Sequence, residues 1–244
     1  MNPEHRQARY PIRCEWGLDG ARAVAPGAEI VVVVDVLSFT TCVTVAADRG
    51  VEVFPHRWRD ESAADLAAEH DASLAVGRSS ARPGEVSLSP GTIRAAAGLT
   101  RLVLPSPNGS TIVHELTESG ATVLAASLRN AAAVAQWINA RGPSTVAVIP
   151  SGERWPDGGL RPAIEDLWGA GAVIDGLPED SLSPEARTAR DAWRAVSDVG
   201  PPLRDCSSGR ELIALGFGED VAIAAEVGSS SRVPLLDGDR FRPA

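Results

Sequence analysis

The run Ile30-Val-Val-Val-Val34, closed by Asp35 and followed by Ser38, Thr40 and Thr41, constrains this chain more than any other stretch. Its β-branched residues show no alternation of polar and apolar positions, so both faces of the strand they form must be covered. That is the pattern of a central strand in a helix-flanked, largely parallel sheet. Asp35 then falls at the strand's carboxyl end, where open α/β sheets place their ligands. Ser38, Thr40 and Thr41 come where the next helix begins, and hydroxyls there, with the unsatisfied N–H groups of a first helical turn, suit an anion. The same residue types are the preferred helix caps. The stretch alone therefore leaves two readings open: a cap, or a metal-binding carboxylate beside a phosphate-type anion site.

The 244 residues, 44% hydrophobic and 23% charged, can bury a substantial core as one large domain or two small lobes. A formal charge of −9 opposes nucleic acid or an anionic membrane as the main partner. A small anion can still bind through local dipoles and a metal. Three scattered cysteines, Cys14, Cys42 and Cys206, are too few for a disulfide framework and point to a reducing setting. The amino terminus lacks the apolar core of a signal peptide and no window is apolar for the ~20 residues of a membrane span, so a cytoplasmic location is expected. Neither spaced Cys and His of zinc-site type nor a Gly-Lys-Ser/Thr phosphate loop is present, which sets zinc hydrolases and nucleoside triphosphatases aside.

Along the chain, Tyr10–Trp16 reads as an edge strand and 17–27 as loop with at most a helical turn. Thr41–Ala47 should be the first helix. Val51–Phe54 is a strand stopped by Pro55, and Arg59–His70 an amphipathic helix with Ser62 and Asp65 at capping-box-like spacing. Ser73–Val76 is a strand, then 77–91 a loop. Arg101–Leu104, Thr122–Ala126 and Ser144–Ile149 are further strands. Each ends in polar residues at a strand-to-helix switch: Asn108, Gly109, Ser110 and Thr111 after the first, Arg129 and Asn130 after the second, a Gly-rich loop after the third. Gly109 permits close backbone approach to a ligand, and Ser110 and Thr111 offer donors at a helix start; a Pro-Asn-Gly turn with its cap is the plainer alternative. Arg129 is the cation placed at a strand end and so the candidate anion clamp, or else a solvated first-turn arginine. Glu165 and Asp166 should lie in the first turn of the next helix, favoured by its dipole. Helices are expected from Ser183 and from a capping box at Ser208–Glu211, with 203–207 as loop, Val221–Ala225 and Arg232–Leu236 as closing strands, and 237–244 frayed.

Asp35-Val-Leu-Ser-Phe-Thr-Thr41 resembles the Asp-Val-Leu-Arg-Ala-Thr-Thr signature of the 2-phosphosulfolactate phosphatase family, magnesium-dependent enzymes linked to coenzyme M biosynthesis. Pro107-Asn-Gly-Ser-Thr111, Asn130 before an Ala-rich helix, Glu165-Asp166 with Ala170-Gly171, and the carboxyl-terminal pattern from Ser208 to Pro234 are similar to further family elements. Two departures stand out. Ser38 occupies the place of the signature arginine, and Gly77-Arg78-Ser79 stands where the family carries Gly-Glu-Arg, so Arg78 is a candidate to restore the missing charge. The resemblance implies a cytoplasmic hydrolase, a Mg²⁺-dependent phosphatase acting on a small-molecule phosphate ester. Asp35 and Asp166 would be catalytic, and Asp35, Glu165 and Asp166 would hold the metal. Ser38, Thr40, Thr41, Asn108, Gly109, Ser110, Thr111, Arg129 and Asn130 would bind substrate. A diverged, non-catalytic small-anion binder is the alternative. The expected fold is α/β: three layers, α/β/α, around a mixed, largely parallel sheet. It is taken as a single domain over 1–244, with lobes at about 1–140 and 141–244 suggested by two similar strand–loop–helix halves. A homo-oligomer is left open.

Overall fold

A computed structural model describes residues 2–57 and 60–244. The strands are β1 (Ile12–Cys14), β2 (Ile30–Val34), β3 (Glu52–His56), β4 (Ser73–Leu74), β5 (Arg101–Pro105), β6 (Thr122–Ala126) and β7 (Val146–Pro150), then a small hairpin of β8 (Glu153–Arg154) and β9 (Leu160–Arg161), and finally β10 (Pro234–Asp237) and β11 (Arg240–Pro243). The helices are α1 (Gly17–Val24), α2 (Phe39–Asp48), α3 (Glu61–Glu69), α4 (Pro90–Ala95), α5 (Gly109–Leu116) and α6 (Ala131–Arg141). They continue with α7 (Ile164–Asp175), α8 (Pro184–Arg194), α9 (Gly200–Asp205), α10 (Ser207–Ala214) and α11 (Gly218–Ala224).

The fold is α/β around one mixed, mostly parallel sheet of nine strands among the described residues, in the order β1-β7-β2-β6-β10-β11-β3-β5-β4. β2 lies between β7 and β6, parallel to both. Its residues divide between two cores. Ile30, Val32 and Val34 pack with residues of α6, α7 and α8, while Val31 and Val33 pack with residues of α1, α2 and α5. All five are buried, and burying a side chain of this size stabilises by about 1.5–3 kcal/mol. Covering both faces is what the unbroken β-branched run requires, and it produces the three layers.

The antiparallel pair β10 and β11 reverses the sheet's direction. β1, β7, β2 and β6 run one way, and β3, β5 and β4 the other. In a flat sheet β2 and β5, five strands apart in this order, would be separated by about 24 Å. Yet Gly109 N, just past β5, donates to Asp35 Oδ2, just past β2, at 3.0 Å. The sheet therefore curls, and it does so at a thin seam: β10 meets β6, and β11 meets β3, through one registered pair each. Curling brings the carboxyl ends of both parallel sets to one place. β7 inserts between β1 and β2, so the sheet interleaves the stretches before and after residue 140.

Several local expectations change. Residues 17–24 form a helix rather than loop. β3 continues through Pro55. Pro90 opens α4, inside the span read as loop, and the 203–207 span is largely helical as α9. Val221–Ala225 is not a strand: Val221, Ile223 and Ala224 form the buried side of α11. Residues 240–243 are not frayed but form β11, with Phe241 buried. The caps shift as well. Asp60 Oδ1, not Ser62, caps α3 by accepting from Ser62 N, and Cys206 Sγ caps α10 by accepting from Gly209 N. The expected start of α3 at Arg59 lies outside the described residues.

Candidate active site

Asp166 ties the two central strands together at their ends. Its Oδ1 accepts from Val36 N at 2.7 Å and its Oδ2 from Gly152 N at 2.8 Å, which are N–H groups just beyond β2 and β7. This is possible because α7 lies close to the sheet. A Cβ on Gly169 would stand 2.7 Å from side-chain atoms of Val34 and Val36, and one on Gly171 would collide with the Ala189 carbonyl of α8. The small residues of α7 thus set its depth, and its first turn carries Glu165 and Asp166, both buried, to the strand ends.

Asp35 is buried and fixed just as firmly. Oδ1 accepts from Phe39 N at 3.0 Å, in the first turn of α2, and Oδ2 accepts from Gly109 N at the start of α5. A Cβ on Gly109 would lie 2.8 Å from Asp35 Oδ2 and collide with Phe39, so glycine is required here by close approach. Across the site Asn108 Nδ2 donates to Glu153 Oε2 at 2.8 Å, bringing in a carboxylate from β8. A cavity of about 140 Å³ opens alongside, lined in part by Trp16, Asn108, Thr111, Ser151, Glu153 and Leu160. Ser151 Oγ is buried there without a hydrogen-bond partner.

These carboxylates disturb one another. Burial first, then repulsion from Glu165, raises Asp35 to about 6 against the opposing pull of its two N–H donors. Burial, then Asp35 and Glu165, raises Glu153 to about 7. The same causes in the same order hold Asp166 well above the ordinary carboxylate range. Glu165 also presses on Cys206, whose thiol burial first and that charge second push up to about 12. Acids gathered so that several have raised pKa values are an arrangement that folding alone does not favour, which makes this the candidate functional site.

The remaining expected site residues separate into two groups. Ser38, Asn108 and Gly109 join the cluster: Ser38 Oγ accepts from Arg78 at 2.9 Å, while Asn108 and Gly109 make the contacts above. The hydroxyls of Thr40, Thr41, Ser110 and Thr111 are bonded to the backbone carbonyls of Asp35, Val36, Leu104 and Pro107, fastening the turns around the site. Asn130 binds Ser127 N and the carbonyls of Ala125 and Arg232. Arg129 is engaged by Asp48 and Glu226. Glu153 and Ser151 were missed in the sequence. The signal was present, because Glu153 is the first acid past the end of β7, as Asp35 is past β2.

A family model described as 2-phosphosulpholactate phosphatase matches residues 21–239. The chain belongs to this family. The 2-phosphosulpholactate phosphatase family is one of phosphoric monoester hydrolases, the enzyme class expected from the resemblance. A protein of Deinococcus radiodurans named probable 2-phosphosulfolactate phosphatase is 28% identical over 219 residues, 86% of this chain and 89% of its own. One of the same name from Thermus thermophilus is 29% identical over 221 residues, again 86% and 89%. A third, from Synechococcus, is 32% identical over 202 residues, 76% of this chain and 79% of its own. Among the described residues no helix is long and apolar enough to cross a membrane.

Proposed function

We propose that the chain is a Mg²⁺-dependent phosphatase that hydrolyses the phosphate monoester of a small 2-hydroxy acid, such as 2-phosphosulfolactate, to the hydroxy acid and inorganic phosphate. The observation that carries this reading is the set Asp35, Glu153, Glu165 and Asp166, drawn together at the ends of β2 and β7, with the carboxyl pKa values of Asp35, Glu153 and Asp166 raised. Cytoplasmic location and a place in coenzyme M biosynthesis belong to the same proposal.

The donors fit a hard divalent cation. They are all oxygens, their repulsion is what such a cation relieves, and the unpartnered Ser151 hydroxyl adds another oxygen nearby. Among the described residues no three acidic, His or Cys side chains form a ready-made cage. Mg²⁺ needs none, because it commonly takes one or two carboxylates together with water and substrate phosphate. Asp35 and the Glu165–Asp166 pair would hold it. When bound, it supplies charge neutralisation of the phosphoryl oxygens.

The chain's own residues do the rest. The N-terminal ends of α2 and α5 meet at Asp35, so their dipoles would favour a phosphoryl group bound beside it. Glu153, beside the cavity and held by Asn108, is placed to give its proton to the leaving hydroxyl as the P–O bond breaks. Attack on phosphorus comes from Asp35 or from water, and transfer of labelled oxygen from water in one turnover separates the two. A panel of phosphorylated hydroxy acids, assayed with and without Mg²⁺ on wild type and Asp35→Asn, tests the reading. Mg²⁺-dependent release of phosphate that the substitution removes supports it. Binding without turnover at any metal concentration would leave a non-catalytic anion binder.

A further inference from the structure

We infer that Arg78 is the specificity-determining residue of this site, and that it binds the substrate's second anion, the acid group on carbon, on the flank of Asp35 away from Glu153. The inference rests on the phosphatase reading above. Arg78 follows β4 and reaches the entrance to α2, where its NH2 donates to Ser38 Oγ at 2.9 Å. Its Nε lies 3.2 Å from Asp220 Oδ2, an ion pair without hydrogen-bond alignment. Its guanidinium sits 5.3 Å from the centroid of the Phe217 ring. Asp220 is buried and steadied by Ser89 Oγ, which donates to its Oδ1.

The guanidinium is thus oriented by Ser38, Asp220 and Phe217, while its NH1 makes no hydrogen bond within the described residues. Asp220, Ser89 and Phe217 are positioning residues: they hold a planar fork at one angle and leave part of it for a ligand. Such a fork matches the oxygens of a carboxylate or sulfonate.

The two flanks of Asp35 differ in what they accept. The cavity flank presents Asp19 and Glu153 with Trp16, Leu18, Ile112 and Leu160. Its cation, Arg154, is turned to the Gly158 carbonyl of its own hairpin. A second anion there would meet like charge and apolar walls. Arg78 is the cation whose charge acts on Asp35, whereas Arg161 is the one acting on Glu153. An ester carrying a phosphoryl group and an acid group on adjacent positions would place the first among the carboxylates with their metal and the second on Arg78.

The test compares 2-phospholactate with its uncharged amide, both with Mg²⁺, on wild type, Arg78→Met and Arg78→Lys. The ratio of kcat/KM, acid over amide, should fall about ten- to a hundredfold in Arg78→Met through KM, the range for losing a hydrogen bond to a charged group. Arg78→Lys keeps the charge without the fork and should retain part of the ratio. An unchanged ratio in both variants, whether the two esters fall together or not at all, overturns the assignment. Should Arg78→Met not fold, judged by near-ultraviolet dichroism, the Arg78→Lys ratio decides. If wild type hydrolyses neither ester, the phosphatase reading has failed. The Arg78 assignment is then judged by thermal shift with lactate and sulfoacetate, which should stabilise wild type and not the variants; equal shifts would overturn it.

Discussion

Helix α2 has a charge cluster at each of its ends, and the two clusters differ in how that charge is compensated. At the amino end Asp35 stands with Glu165, Asp166 and Glu153, and the pKa values of Asp35, Asp166 and Glu153 rise. At the carboxyl end Asp48 meets Arg129 at 2.9 Å, Ser230 Oγ donates to Asp48, and Glu226 takes a two-pronged contact from Arg94 at 2.8 and 2.6 Å. There the pairing holds Glu226 below its ordinary range, chiefly through Arg94. A helix dipole favours anions at its amino end and cations at its carboxyl end, so both placements agree with it. At the carboxyl end, cations and anions of the chain face one another, whereas the acids at the amino end chiefly face one another. Compensation by opposite charge within the chain distinguishes the cluster at the carboxyl end from the candidate site at the amino end.

The sharpest way to break this contrast is to remove one acid from each end. Asp35→Asn should lower Mg²⁺-dependent ester hydrolysis by at least about a thousandfold, the scale for losing a central electrostatic group. Asp48→Asn should leave kcat/KM within a factor of about three, because the proposed reading places substrate at the other end of α2. Comparable losses in the two variants, measured by phosphate release, would erase the distinction.

Arg129 tests the contrast from the stability side. Removing one partner from a fully buried pair costs about 3–5 kcal/mol, but Asp48 and Glu226 retain 29% and 36% side-chain exposure, so water compensates part of it. Arg129→Met should therefore destabilise by about 2–3 kcal/mol, lowering Tm by roughly 5–10 °C in a chain of this size, with KM unchanged. A rise in KM without loss of stability would support the anion-clamp role for Arg129.

That residue shows where sequence reasoning ends. A cation after a strand is visible in the sequence, but Asp48, which neutralises it, lies 81 residues away. β2, β6 and β7 were legible because β-branched runs between polar turns have one reading in a covered sheet. The short apolar segment 221–225 had two readings, since periodicity cannot separate a brief buried helix from a strand. β11 was lost for the opposite reason: Arg240 and Arg242, both within reach of Glu52, flank the single buried Phe241, leaving too few alternations to register. Asp35 and Asp166 were legible by position, each at a strand-to-helix junction. Glu153, although it is the first acid past β7, was passed over because its hairpin reads as a Gly-rich loop.

Titration offers a subtler contrast. Asp35 at about 6 and Glu153 at about 7 lie above their unfolded values of about 3.9 and 4.3. Between about pH 4 and 7 the folded protein holds protons the unfolded chain has released, so this pair makes metal-free stability fall as pH rises through that window. Asp35 and Glu153 should thus together cost about 4 kcal/mol between pH 5 and pH 8. Mg²⁺ should reverse the loss, giving a larger rise in urea midpoint at pH 8 than at pH 5. Glu226, lowered instead, contributes stability that is lost only as pH falls below the ordinary carboxylate range. In Glu153→Gln the slope between pH 5 and 8 should be shallower, and an identical slope would mean that Glu153 is not repelled as its surroundings require.

The smallest effect concerns Ser151, whose hydroxyl is buried without a partner while its backbone N–H donates to the Val34 carbonyl at 2.8 Å. Leaving a hydroxyl unpaired in the interior costs about 1–3 kcal/mol. Ser151→Ala removes that cost and keeps the backbone bond, so it should stabilise the metal-free protein by up to about 1 kcal/mol, with little strain because the side chain only shrinks. If the hydroxyl serves the cavity, the same variant should lower kcat/KM by about fivefold to tenfold, the worth of a neutral hydrogen bond. Gain of stability joined to loss of activity is the signature of a group kept for its ligand, and it sets Ser151 beside Asp35 rather than with the satisfied hydroxyl of Ser230. Stability lost together with unchanged activity would place Ser151 with the structural cluster and shrink the functional end of α2 to its carboxylates.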